Sequence, residues 1–181
     1  MPRRLHVVHD TPAVRSASRS RRLFALPCLL LLVASCSTPP AAVRADTLAY
    51  LQKMNSWAPV EAETARTLER IMATQFVDEA EVLRQIAEST PRVQRQLDAA
   101  TTYQPRTADV RRIHATYIKA WRTLLDGYGS ITAGFEHGEQ DKLASGRQAM
   151  LQWRDTIVEV AEELRALRDR VGVEMSDVTP S

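Results

Sequence analysis

Few side chains in this 181-residue sequence have the type and spacing that chemistry requires. There are two cysteines, Cys28 and Cys36, and four histidines, of which only His114 and His137 lie beyond residue 45. Glu136, His137, Glu139 and Asp141 are close in sequence and offer one nitrogen and three carboxylates. One histidine among flexible carboxylates holds a transition metal poorly, so the stretch reads as a solvated helix hairpin. Met54 and His114 form a second pair, of the kind that ligates iron axially in some haem proteins. Tyr50, Trp57, Tyr117 and Trp121 stand near them in sequence. Met and aromatic residues at helical spacing are ordinarily core, and core is the expectation here. The sequence has no Glu-x-x-His pair of the di-iron kind, no Gly-rich phosphate loop, no nucleophile elbow and no Cys-x-x-Cys-His haem attachment. The expectation is a chain with no catalytic residue, no cofactor and no metal. The alternative is a haem- or metal-binding, or enzymatic, bundle.

Cys36 stands in a different context. Arg19, Arg21 and Arg22 precede an apolar run from Leu23 to Ala34, and small residues then lead into the cysteine. A charged, then apolar, then small-residue order is that of a secretory signal. The run covers about a dozen residues and contains Pro27, against the roughly 20 that a spanning helix needs. Val33-Ala34-Ser35-Cys36 resembles the lipobox of bacterial lipoproteins. The resemblance implies that residues 1–35 are cleaved as a signal peptide and that Cys36 is the site of lipid attachment, carrying palmitate or related acyl chains. It covers residues 20–36 only. The stretch before Ser20 is longer than leaders of that family, which points to a translation start downstream of Met1. Ser20-Arg21-Arg22-Leu23-Phe24 also resembles the twin-arginine export motif, but Leu29–Val33 is more apolar than such signals, which favours the general secretory route. Ser37 after the cysteine resembles lipoproteins sent to the outer membrane.

Removing the leader changes the charge. The whole chain carries 24 Lys and Arg against 22 Asp and Glu, net +2. Residues 1–35 hold six of the arginines and one aspartate, so the remainder is net −3. The pI of about 8.7 belongs to the leader, and no basic footprint for nucleic acid remains. With Cys28 removed and Cys36 lipidated, the remaining domain has no disulfide and no thiolate metal site.

Residues 36–45 read as the lipidated N-terminus and a Pro-containing linker, and residues 46–172 as helices. The first, from about Asp46 to Phe76, shows Leu48, Leu51, Ala65, Leu68 and Met72 on one side, with Pro59 expected to kink or divide it. The second, from Glu79 to Thr101, has the seam Leu83, Ile86, Thr90, Val93, Leu97 and Ala100. Asp78 with Glu81 looks like its capping box, and Pro91 is expected to kink or restart it. Thr107 caps the third, which has one row of Val110, Tyr117, Leu124 and Ile131 and another of Ile113, Ala120, Gly127 and Gly134. The fourth, from about Glu139 to Val171, repeats Leu143, Met150, Ile157, Leu164 and Val171 every seven residues, with Gly146, Trp153, Val160 and Leu167 three residues on. Glycine inside a helix costs roughly 0.5–1 kcal/mol against alanine. Gly127 and Gly134 therefore suggest that a neighbouring helix, or a side chain such as Trp153, comes close. The alternative is a local break at residues 126–129.

Short turns between long helices predict an all-α, antiparallel, up-down-up-down four-helix bundle after a cleaved signal peptide. Residues 173–181 read as a disordered tail. The expected role is a non-catalytic binding or scaffold module, lipid-anchored in the cell envelope outside the cytoplasmic membrane. On the expected outer-membrane route it would face the periplasm. The expected partners are the membrane, through the anchor, and an envelope protein or small ligand, with no nucleic acid.

Overall fold

The computed structural model describes residues 40–178. The lipobox residues Val33, Ala34 and Ser35, the lipidation site Cys36 and the rest of the proposed signal peptide lie outside the described residues. Four long helices build the domain: α1 (Pro40–Ala73), α2 (Glu79–Thr102), α3 (Ala108–His137) and α4 (Gln140–Val171). A single turn, α5 (Met175–Val178), follows.

The helices are arranged in a ring. α1 packs beside α2 and α4, α2 beside α3, and α3 most extensively against α4, while α1 and α3 also touch across the diagonal. Asp46 meets Thr107, Tyr50 meets His114 and Phe76 meets Phe135. Both chains run the same way through these three contacts, so α1 and α3 are parallel and the order is up-down-up-down. The molecule is an all-α, antiparallel four-helix bundle.

The turns follow from local chemistry. Asp78 Oδ1 accepts the Glu81 amide at 3.0 Å and caps α2. Gly138 takes φ 65° after α3, and the Glu139 amide donates to Gly134 O at 2.8 Å, which turns the chain straight into α4. Gln75 and Phe76 both have positive φ, 49° and 61°, between α1 and α2. Thr74 holds that turn by donating to Ile71 O and accepting from the Phe76 amide.

Three boundaries differ from the sequence expectation. α1 starts at Pro40, so only the first half of the expected 36–45 linker precedes it. Proline suits the first helical position because its missing N–H has no partner there anyway. α1 and α2 continue through Pro59 and Pro91. Both prolines are exposed, so the carbonyls they release can turn to water. Finally, residues 173–178 are not a free tail. Val173 and Val178 are buried, and Arg44 on α1 donates to Gly172 O at 3.2 Å and to Asp177 Oδ2 at 2.9 Å.

The seams of α3 and α4 fall where periodicity puts them. All eight residues in the two rows of α3 are buried. On α4, Gly146, Met150, Trp153, Val160, Leu164 and Leu167 are buried. The α1 seam is displaced. Of its five expected members only Leu68 is fully buried, and the face that turns inward includes Asp46, Thr47, Tyr50, Trp57, Thr64, Thr67 and Ile71. In α2 the buried set includes Val82, Gln85, Ser89 and Gln96, which the apolar seam passed over.

α3 and α4 approach through their glycines. A Cβ on Gly127 would stand 2.7 Å from Ala149 Cβ, and one on Gly146 2.7 Å from Gly127 O and in collision with Ile131 Cγ1. One on Gly134 would stand 2.7 Å from Leu143 Cδ2. The helix is unbroken across residues 126–129, so the close approach and not a break explains these glycines. Ala149, Gly146 and Leu143 make the approach; the expected Trp153 does not.

Candidate functional site

His114 sits on the inner face of α3, among Tyr50 and Trp57 of α1, Tyr103 after α2, and Tyr117 one helical turn along. The Trp57 and Tyr117 rings stack at 5.4 Å and 6°, and Tyr50 meets the imidazole edge-on at 5.5 Å. His114 Nε2 lies 2.9 Å from Ala100 O, which only accepts, so Nε2 carries the proton and donates. Nδ1 is then bare and accepts the Tyr50 hydroxyl at 3.2 Å. Burial pushes the imidazole below its ordinary range, in agreement with a neutral ring.

A second chain lies one turn away. Gln96 Nε2 donates to Tyr117 Oη at 2.8 Å, and that hydroxyl donates to Glu61 Oε1 at 2.7 Å. Burial raises the Glu61 carboxyl, partly offset by the bond from Tyr117. Burial also raises the Tyr50 and Tyr117 hydroxyls, with the Glu61 carboxylate adding to it. Both phenols therefore remain donors. His114 has no lone pair left for a substrate, and neither tyrosine is a ready nucleophile. The arrangement ties α1, α2 and α3 together through side-chain hydrogen bonds.

A third polar centre closes that end of the bundle. Asp46 is 4% exposed, and its Oδ2 accepts from the Arg106 amide at 3.0 Å, the Thr107 amide at 2.7 Å and Thr107 Oγ1 at 2.8 Å. Thr107 is the residue before α3, but its hydroxyl serves Asp46 and makes no cap bond to its own helix.

The ligand pairs weighed from sequence are placed as follows. Met54 is half-buried against the core, and both ring nitrogens of His114 are engaged within the protein, so the pair offers no open axial position. Glu136, His137, Glu139 and Asp141 are exposed at the α3–α4 turn. Among the described residues no three His, Cys, Asp or Glu side chains come together as a metal site. Tyr50, Trp57 and Tyr117 do surround His114, as their spacing suggested. Asp46, Glu61, Gln96 and Tyr103 were missed. Each is a polar or amphipathic residue whose partner lies on another helix or loop, and no local pattern marks it.

Several depressions open on the surface of the described residues, two of them with large apolar side chains in their walls. A cleft of about 120 Å³ lies between α1 and α4, lined by Ala65, Leu68, Glu69, Met72, Met150, Leu151, Trp153 and Arg154. A wider hollow of about 420 Å³ lies at the far end, where Phe76 and Val77 face Phe135, Leu143 and Arg147. Val77 is 85% exposed there, and the Arg147 guanidinium lies 4.5 Å from the centre of the Phe76 ring. No helix among the described residues is long and apolar enough to cross a membrane.

No protein-family model matches this chain, and neither the curated proteins nor the solved structures include a significant match.

Proposed function

We propose that this chain is a bacterial lipoprotein whose helical bundle works by binding and not by catalysis. Acyl chains on Cys36 hold it to an envelope membrane outside the cytoplasm, on the periplasmic face of the outer membrane where the cell has two membranes, and the bundle presents a ligand- or partner-binding surface. The observation that supports the non-catalytic reading is that both ring nitrogens of the buried His114 are engaged within the protein. His114 is saturated by Tyr50 and Ala100 O. Such groups specify packing, and a catalytic base needs a free lone pair within reach of a substrate.

The anchor and the domain are close in sequence. α1 begins four residues after Cys36, and its 34 residues rise about 50 Å at ~1.5 Å each. The α1–α2 and α3–α4 turns lie at the end of the bundle opposite the start of α1, with the exposed Val77 and the Phe76 hollow. Two or more acyl chains give stable attachment where one is marginal.

Two experiments test this. Metabolic palmitate labelling should mark the wild type and not Cys36→Ala; label retained in the variant overturns the anchor. Affinity capture from detergent-solubilised envelope should recover a stoichiometric envelope partner with a binding module. Turnover of a substrate by the purified chain overturns the non-catalytic reading.

A further inference from the structure

We propose that the hollow at the α1–α2 and α3–α4 turns docks a basic segment of another envelope protein, with apolar side chains flanked by lysine or arginine. The inference rests on the reading of the bundle as a binding module and names the chemistry of the partner that this end takes.

The hollow offers apolar surface. Phe76, Val77, Phe135 and Leu143 line it, and its volume of about 420 Å³ receives a few side chains of a docking segment. Val77 is 85% exposed, the most exposed large apolar side chain among the described residues. Apolar surface of this kind inside a polar rim is characteristic of protein docking. The turn that presents it is strained. Gln75 and Phe76 take φ 49° and 61°, a region that favours glycine, yet the second of them is a phenylalanine that lines the hollow.

Charge then selects the partner. The stretches 74–84 and 134–147, which form this end, carry six acids, Asp78, Glu79, Glu81, Glu136, Glu139 and Asp141, against three bases, Arg84, Lys142 and Arg147. Their net −3 equals that of residues 36–181 as a whole, so the remainder of that chain is balanced. The bases are already engaged: Arg84 pairs with Glu81 and Glu88, Lys142 with Glu139, and Arg147 lies over the Phe76 ring. Glu79 lines the hollow, and Glu136 and Asp141 adjoin its lining residues Phe135 and Gln140. All three are exposed and have no ion pair among the described residues. A basic segment meets these carboxylates. A second copy docked face to face would set the same acids against one another, and an anionic lipid surface would be repelled.

The test is calorimetric titration of the full chain in zwitterionic nanodiscs, with empty discs as the blank. The probes are acetyl-Lys-Leu-Phe-Lys-amide, acetyl-Glu-Leu-Phe-Glu-amide and acetyl-Lys-Ser-Ser-Lys-amide. The first should bind saturably at one site, and the other two about tenfold more weakly or less. Val77→Ser should weaken the first peptide about tenfold, the scale of one central apolar contact. Glu79→Gln, Glu136→Gln and Asp141→Asn combined should weaken it by a similar factor and leave the glutamate peptide no weaker. Val158→Ser, at an exposed apolar side chain of α4 outside the hollow, should change nothing. No saturable binding of the first peptide, or equal binding of the lysine and glutamate peptides, overturns the proposal. Equal losses in Val77→Ser and Val158→Ser overturn the site. A dimer in sedimentation that Val77→Ser dissociates overturns the occupant in favour of a second copy. If the first peptide does not bind while the wild-type chain still captures a stoichiometric envelope partner, the hollow fails and the binding-module reading stands.

Discussion

The two sides of this bundle are held together by different physics. α3 meets α4 through backbone proximity: Gly127, Gly134 and Gly146 let the two helices come so close that a single methyl collides. α1 meets α2 and α3 through buried polar groups: Asp46 on the α2–α3 loop, Tyr50 on His114, Glu61 on Tyr117 with Gln96 behind it. The first interface is non-directional and depends on fit. The second is directional and depends on every donor finding its acceptor. Steric packing tolerates small lateral adjustments of apolar atoms but no added volume. A hydrogen-bonded interface fixes register, and it is costly when one partner is removed and the other stays buried.

Substitutions at each side sharpen this comparison. The largest loss is expected at Asp46→Ala, which strands the Thr107 amide and hydroxyl and the Arg106 amide. Chemical denaturation should show about 3 kcal/mol or more. A loss under about 1 kcal/mol would mean that water replaces the carboxylate and that this end is not sealed. Gly146→Ala comes next. The added methyl meets the backbone oxygen of Gly127 as well as Ile131, so overpacking should cost about 1–3 kcal/mol. Unchanged or increased stability would remove the close approach of α3 and α4.

Gly129→Ala is the control for that result, with the opposite sign. It lies on the same helix two residues from Gly127, but nothing stands within 4 Å of an added Cβ and the position is exposed. It should stabilise by about 0.5–1 kcal/mol. If Gly129→Ala destabilises as Gly146→Ala does, helix strain and not packing is the cause.

The smallest expected effect is the proton-linked share of stability at His114, which appears only under acid. Burial lowers the folded pKa of the imidazole from its ordinary 6.5, so below that value the unfolded chain binds more protons than the folded one. Its contribution is complete above 6.5 and is lost as the pH falls. Glu61 has the opposite sign. Its carboxyl is raised from 4.5, so its contribution is complete below that value and declines as the pH rises. The difference between wild type and His114→Gln removes the Glu61 share. Wild type should lose stability relative to the variant from about pH 7 to about pH 5. A flat difference would mean that the ring is solvated and the Tyr50–His114–Ala100 chain is open.

The legibility of each helix follows the same division. The heptads of α4 and both rows of α3 could be read from spacing because their buried faces are apolar or glycine, and periodicity detects apolar burial. The α1 face could not, because Asp46, Thr47, Thr64 and Thr67 alternate with Tyr50, Trp57 and Ile71 on the inside. Leu48, Leu51 and Met72 drew the reading to a half-buried flank. In α2 the same happened by one position, with Leu83 taken for Val82. Of the candidate site, His114 and its aromatic neighbours were visible as residue types, but their hydrogen bonding was not.

The sequence by itself determined the class of the fold. Helical period, the Asp78 cap, and Gly138 and Gly172 after the last turns of α3 and α4 are local properties, and they needed no tertiary information to act. Tertiary structure decided which polar residues are core. Asp46 and Thr107 are 61 positions apart, and Tyr50 and His114 are 64. A buried carboxylate or imidazole is stable only when its partner arrives from another segment, and that partner is supplied by the packing of α1 across α3. The cleft between α1 and α4 is likewise a property of two surfaces brought together. Neither helix carries it alone.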